Sequence, residues 1–329
     1  MFAIRQHEAG GKLVVESIPV PQPGAGEVLV RMHASPVNPS DLALIQGNYL
    51  ARNFPFTPGL EGSGVVVSSG GGLLSGMRIG KRVACSPDPE GDGTWAEYMK
   101  TSAMRTIPLP RKISFEQGAM MLVNPMTAMA LLHMAKTGNH QAVVNNAAAS
   151  ALGKMLIRLT NQNQIPLINI VRREEQATEL RNMGATYVLN SNDNNFEAEL
   201  HRLAHELKAT LFMDAVTGEQ SSLLLRAAPQ GTTLVAYARL SGDPMMVDPG
   251  SLIKEEKQII GFQLGHWLQT KGILFKIRFI NQVKKQLSDS LTTHINGNMP
   301  LEEVEKAISL YKKSMSDGKI ILTMKKSNK

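Results

Sequence analysis

Cysteine is almost missing from this chain of 329 residues, which carries Cys85 alone. A single thiol forms no internal disulfide, excludes a four-cysteine structural zinc site and suits a reducing compartment, so a cytoplasmic location is expected. Long hydrophobic runs are missing too. No apolar stretch reaches the length of a membrane span, and residues 1–8, with Arg5 and Glu8, lack the apolar centre of a signal peptide. No membrane partner is therefore expected. The chain shows no internal repeat and no low-complexity linker. Its 43% hydrophobic and 19% charged residues form a globular composition, and its length exceeds one ordinary core, which predicts two domains. The formal net charge is +7, but the basic residues are scattered, with small clusters at Lys312–Lys313 and at Lys325, Lys326 and Lys329. No nucleic-acid motif accompanies them. The charge reads as solubility plus attraction for an anionic cofactor or substrate, and no nucleic-acid partner is expected.

Up to about residue 120 the chain reads as short β runs, at Leu13–Val15, Val28–His33, Gly64–Val67 and Arg82–Ala84, punctuated by Pro- and Gly-rich stretches. That texture predicts a small antiparallel β domain. From about 124 it changes to strand alternating with helix. Helices are expected at Glu174–Met183 with Gly184 as C-cap, at Asn195–Leu207 and at Ser221–Ala228. Strands are expected at Tyr187–Leu189, Thr210–Ala215 and Thr232–Tyr237. Such alternation predicts a parallel, doubly wound α/β sheet. From about 265 the chain offers one helix, Leu301–Lys312, and a short strand, Ile320–Met324, expected to return to the β domain. The predicted boundaries are 1–123 with 265–329 for the β-rich domain and 124–264 for the nucleotide domain.

The stretch Ala142–Arg173, AVVNNAAASALGKMLIRLTNQNQIPLINIVRR, is ordered as strand, tight turn, helix and strand. Dinucleotide sites have this grammar, although the glycine fingerprint is altered: aligned on Gly153, its earlier positions hold Ala148 and Ser150. Small side chains still let a backbone approach a pyrophosphate at a helix N-terminus, and Ser150 can cap that helix. A run of Ala and Ser before a helix is equally a well-packed helix start. The end of the second strand decides further. An acidic residue there would bind the ribose 2′-hydroxyl of NAD, whereas Arg172 and Arg173 suit a 2′-phosphate, so NADPH is the expected cofactor.

Further words extend the pattern over nearly the whole chain. Val37-Asn-Pro-Ser-Asp41, Gly47-Asn-Tyr49, Pro58-Gly-Leu-Glu-Gly-Ser-Gly64 and Gly80-Lys-Arg-Val83 resemble the medium-chain dehydrogenase/reductase superfamily. Gln46-Gly-Asn-Tyr49, Val123-Asn-Pro-Met-Thr-Ala128, Gly261-Phe-Gln-Leu-Gly-His-Trp267 and Ile321-Leu-Thr-Met324 resemble its zinc-independent 2-enoyl thioester reductases, and several are shared with quinone reductases. The resemblance implies a GroES-like β-rich catalytic domain joined to a Rossmann domain. At the places where zinc members carry metal ligands, this chain has Asn38, Leu60 with Glu61, and Asn124. Leucine cannot ligate and amides are poor zinc ligands, so no metal is expected. Glu61 is expected to be structural, paired with a buried arginine. His201 and His205, at i and i+4 beside Glu206, read as an exposed helix face.

The implied activity is hydride transfer from NADPH to a conjugated double bond of a small-molecule acceptor. A quinone reductase of the same superfamily is the alternative, and a non-catalytic cofactor-binding or structural protein the third. A conjugated acceptor needs hydride at the β carbon, donors for the enolate and a proton at the α carbon, none of which requires a metal. Tyr49 is the implied catalytic acid; from spacing alone it reads sooner as a loop aromatic covering an apolar surface. By the same resemblance Asn38, Asn124 and Thr127 lie by the nicotinamide half, Ser150, Ala151 and Leu152 at the pyrophosphate turn, and Arg172 and Arg173 at the 2′-phosphate. Tyr237, Ala238, Phe262 and Leu264 flank the nicotinamide half, and Lys319 reaches a phosphate or ribose. Ser40 and Trp267 shape the substrate pocket. Ala238 and Arg239 stand where the family often has glycines. A homodimer is implied, with 234–246 as a candidate edge.

Overall fold

The computed structural model describes residues 1–49, 51–313 and 315–324; the tail lysines Lys325, Lys326 and Lys329 lie outside the described residues. The chain divides into two compact units, Met1–Pro125 with Gln282–Lys329, and Met126–Asn281. The first unit opens with β1 (Phe2–Gln6), β2 (Leu13–Ser17), β3 (Glu27–Pro36), α1 (Pro39–Ile45), β4 (Gly62–Ser69) and α2 (Leu73–Gly76). Next come β5 (Arg82–Cys85), β6 (Tyr98–Ser102), β7 (Thr106–Pro108) and α3 (Phe115–Ala119). After α4 (Asn124–Thr137) the second unit runs β8 (Ala142–Asn145), α5 (Ala151–Gln162), β9 (Leu167–Val171), α6 (Glu174–Asn182), β10 (Tyr187–Asn190), α7 (Phe196–Glu206) and β11 (Ala209–Asp214). It continues with α8 (Glu219–Ala227), β12 (Thr233–Ala236), α9 (Pro249–Lys254), β13 (Gln258–Gly261), α10 (Leu264–Gln269) and α11 (Ile273–Gln286). Then β14 (Ile295–Pro300), α12 (Val304–Lys313) and β15 (Lys319–Thr323) return to the first unit.

In the first unit the sheet order is β14-β15-β3-β4-β5-β7, with β6 also paired to β3. β15 lies antiparallel to β3, with Ile321 opposite Pro36 and Leu322 opposite Ser35. A buried cluster of Val28, Val30, Met32, Val66, Trp95, Ile308, Ile320 and Leu322 holds this C-terminal strand in the N-terminal sheet. Each such fully buried aliphatic side chain stabilises the fold by about 1.5–3 kcal/mol relative to exposure. The register sets Lys319 beside the segment that follows β3, because Val37 donates its backbone N–H to Ile320 O at 2.9 Å.

The second unit is a six-stranded parallel sheet in the order β10-β9-β8-β11-β12-β13. This is the doubly wound order of a Rossmann sheet, whose direction of growth reverses at β8. β8 and β9 are buried at every position. A parallel strand with helices over both faces reads as a continuous apolar run for this reason.

Two expectations are corrected here. Residues 265–281 lie in the second unit, where they form α10 and the start of α11; their exposed Ile273, Leu274 and Ile277 hide the helical period that a one-sided apolar stripe would display. β12 is interior, flanked by β11 and β13, so 234–246 does not supply a sheet edge; β13 does.

Candidate active site

The first unit gathers a buried polar network where β3 ends. Pro39 starts α1 at a position that needs no N–H, and Asp41 in its first turn accepts from the Asn38 backbone N–H at 2.8 Å and from Leu60 N–H at 2.9 Å. The Asn38 side chain links two further groups. Its Nδ2 donates to Glu61 Oε1 at 2.9 Å, while its Oδ1 accepts from Lys319 Nζ. Glu61 Oε2 accepts from the backbone N–H groups of Leu122 and Val123 at 2.8 and 2.9 Å. Lys319 also donates to Val37 O and to the Tyr311 hydroxyl, at 3.2 and 3.1 Å, and is only 2% exposed. Burial raises the Asp41 carboxyl to about 7 against the lowering pull of its two backbone donors, and burial raises Glu61 as well. The partners of Glu61 are thus an amide and two backbone groups, with Lys319 as the cation one residue removed. The expected arginine is replaced because the lysine arrives on β15, from the far end of the chain.

In the second unit the predicted nucleotide residues collect at the carboxyl ends of the parallel strands. Ser150 caps α5, its Oγ accepting from Gly153 N–H at 3.1 Å. Gly153 is required by proximity: a Cβ there would lie 2.3 Å from Ala148 O. The turn that precedes it places Ala147 at φ 48°. Arg172 and Arg173 follow β9 directly, and both are exposed. The Arg172 backbone is fixed by its N–H to Gln176 Oε1 and by Asn192 Nδ2 on its carbonyl. Tyr237 follows β12 and donates to Asn145 Oδ1 at 3.3 Å; burial, then the Asp214 charge, raises its pKa, so it stays a donor. The Asn145 amide Nδ2 is buried without an acceptor. An orphaned donor, a capped 12-residue helix and a glycine that admits a close backbone turn fit the phosphates and amide of a dinucleotide.

Sequence reasoning passed over three of these groups. Asn145, Asn146 and Asp214 are fully buried, and Asp214 accepts from Asn146 Nδ2 at 2.6 Å, from the N–H groups of Val216 and Thr217 at 2.9 Å, and from Ser221 Oγ at 2.5 Å. The asparagine doublet closing a strand was the available signal.

The remaining predicted residues are placed as follows. Tyr49 lies on the turn after α1, made possible by Gly47 at φ 75°, and is 42% exposed. Ser40 is half-buried on α1, its Oγ lacking a partner. Asn124 and Thr127 lie in the first turn of α4, Ala151 and Leu152 in that of α5. Phe262 and Leu264 follow β13. Trp267 packs among His133, Phe262, Phe275 and Phe279, with centroid separations of 5.4–6.2 Å, a packed aromatic group. Ala238 is half-buried, and Arg239 folds back to donate to Gly242 O. Lys319 does not point to solvent; its ammonium is committed to the three acceptors named above. His201 and His205 stack on each other on an exposed face of α7.

The donor set does not suit a catalytic zinc ion. Leu60 has no ligating atom, the Asn38 amide is engaged at both ends, and both Glu61 oxygens already accept hydrogen bonds. Cys85 is buried, and burial raises its thiol, which disfavours the thiolate that binds metal.

A GroES-like β unit and a doubly wound dinucleotide-type unit define a two-domain oxidoreductase architecture. The family models agree. Residues 24–111 match the alcohol dehydrogenase GroES-like domain and residues 151–277 the zinc-binding dehydrogenase family. The chain is 30% identical over 306 residues to the mitochondrial enoyl-acyl-carrier-protein reductase of Mus musculus, covering 91% of this chain and 81% of that protein. Among solved structures, it is similar to a candidate NADPH:quinone reductase from Mesorhizobium loti, with TM-score 0.89, 33% identity and 98% of each chain covered. A corresponding protein from Bacillus thuringiensis gives TM-score 0.87 at 27% identity, again over 98% of each chain. The chain belongs to the medium-chain dehydrogenase/reductase superfamily and is an oxidoreductase.

Proposed function

We propose that this protein is an NADPH-dependent, zinc-independent reductase of activated double bonds, with 2-enoyl thioesters as its substrate class. The observation that carries this reading is the commitment of Asn38 and Glu61 to each other and, through Asn38, to Lys319. Neither side chain is left to hold a Lewis acid, so an acceptor already polarised by conjugation is the one this residue set suits. A bound NADPH would supply a hydride for the β carbon of the acceptor. Arg172 and Arg173 bind the 2′-phosphate through charge-assisted contacts, and Ser150, Ala151 and Leu152 present backbone N–H groups of the α5 N-terminus to the pyrophosphate. Within the second unit Tyr237, Ala238, Phe262, Leu264 and Thr127 line the nicotinamide half, and Asn145 Nδ2 joins them as a donor; Asn124 is a candidate contact of the first unit. Asn38 is held rigid by Lys319 and orients what lies beside it. Tyr49 is the candidate donor of the proton to the α carbon, with Ser40 beside it on the first unit and Trp267 a candidate acyl contact on the second.

Quinone reduction is the second reading, supported by the 33% identity to the Mesorhizobium loti protein. NADPH oxidation by the wild type and by Tyr49→Phe, with a 2-enoyl thioester and with a quinone, separates the two. Loss of a general acid lowers thioester turnover about 10²–10⁴-fold and leaves quinone turnover nearly unchanged. Undiminished thioester reduction by the variant removes Tyr49 as the acid, and turnover of quinone alone selects the second reading. Absence of NADPH binding in a fluorescence titration would favour a non-catalytic role. We further place the protein in the cytoplasm as a homodimer joined at β13.

A further inference from the structure

Two turns of the first unit expose large apolar side chains beside each other. Leu73 and Met77, in and just after α2, are 86% and 62% exposed, Ile79 is 52%, and Met104, in the 3-10 turn Ala103–Arg105, is 78%. The turns are tied together through Gly26, which donates to Gly71 O and accepts from Ala103 N–H, and through Arg78, whose Nε donates to Thr106 Oγ1 at 3.2 Å. These side chains stand out from the domain on turn tips. Their surroundings are cationic. No acidic residue occurs between Glu61 and Asp88 or between Glu97 and Glu116, whereas those intervals carry Arg78, Lys81, Arg82, Lys100, Arg105, Arg111 and Lys112. Two nearby acids are paired: Glu27 with Lys100 at 3.1 Å and Asp88 with Arg105 at 3.0 Å. Lys81, Arg111 and Lys112 are exposed.

We propose that this face docks on an anionic lipid surface, with Leu73, Met77 and Met104 entering the headgroup boundary and Lys81, Arg111 and Lys112 meeting the lipid charges. Protruding apolar tips in stretches whose exposed charges are cationic match a fluid anionic interface, whereas a partner helix would require a groove. The expectation of no membrane partner rested on the lack of a spanning segment, and no helix among the described residues is long and apolar enough to cross a membrane. Lying on a membrane needs no such helix. The inference is independent of the substrate reading.

Co-sedimentation of the whole protein with vesicles of phosphatidylcholine alone and of equimolar phosphatidylcholine and phosphatidylglycerol tests it. Binding is expected only to the anionic vesicles and is expected to fall steeply with added salt. The double variant Leu73→Ser, Met104→Ser should lower the partition coefficient about tenfold or more. Lys81→Glu with Lys112→Glu should lower it about 25-fold or more, since each basic group near such a surface contributes about a factor of five. Both variants should keep the wild-type unfolding temperature. Wild-type protein that leaves anionic vesicles bare overturns the proposal, as it would if an acidic protein were the true occupant. Binding that survives both variants overturns the choice of face.

Discussion

Replacing Lys319 by methionine tests whether the buried network of the first unit is an electrostatic unit or a set of separate contacts. The substitution keeps most of the side-chain volume and deletes one charge. Asn38 Oδ1, Val37 O and the Tyr311 hydroxyl each lose a charged donor, and Glu61 loses the cation that lowers its carboxyl. Because Lys319 is 2% exposed, water cannot take over these roles, and solvent screening is slight. Removing one member of a buried charged network costs about 3–5 kcal/mol, a large part of the ~5–15 kcal/mol that holds a domain folded. Chemical denaturation followed by the fluorescence of Trp95, which lies in this core, should show the loss. In a double-mutant cycle, Glu61→Gln should cost less in the Lys319→Met background than in the wild type, with a coupling of about 1–3 kcal/mol. A loss under about 1 kcal/mol for Lys319→Met, or additivity within about 0.5 kcal/mol, would refute the idea that Asn38 is held between two charges.

Arg172→Ala should weaken NADPH binding by about 1.5–3 kcal/mol and leave NADH nearly unaffected, read by fluorescence titration with each cofactor; an equal loss for both would remove the case for phosphate recognition. Gly153→Ala places a methyl 2.3 Å from Ala148 O, a backbone atom that cannot swing aside. The variant should lose about 1–3 kcal/mol in thermal unfolding and bind either cofactor poorly, and a stable, binding-competent Gly153→Ala would contradict that geometry. Burial raises Asp41 to about 7, so between the ordinary carboxylate range and that value the folded state keeps a proton that the unfolded state has lost. Its contribution to stability is therefore present at low pH and fades as pH rises to 7. Unfolding temperatures measured across this window should fall with pH less steeply in Asp41→Asn than in the wild type.

Local pattern made much of this molecule legible. Alternating strand and helix beyond residue 124 and the arginines closing β9 are readable along the chain, because each depends on neighbours a few residues apart; the lack of ligating side chains at 38, 60 and 124 is legible only through the resemblance that marks those positions. Residues 265–281 resisted the same reading: α11 exposes Ile273, Leu274 and Ile277, so its apolar residues do not mark one buried face.

What the amino-acid order determined by itself was the class of fold and the strand, turn, helix, strand order of residues 142–173. Only the tertiary structure decided which charges meet. Lys319 stands 281 residues from Asn38 and reaches it because β15 pairs with β3, and Asp214 joins Asn146 because β11 lies beside β8. Strand pairing across such separations is set by burial of the whole core, and no local period encodes it.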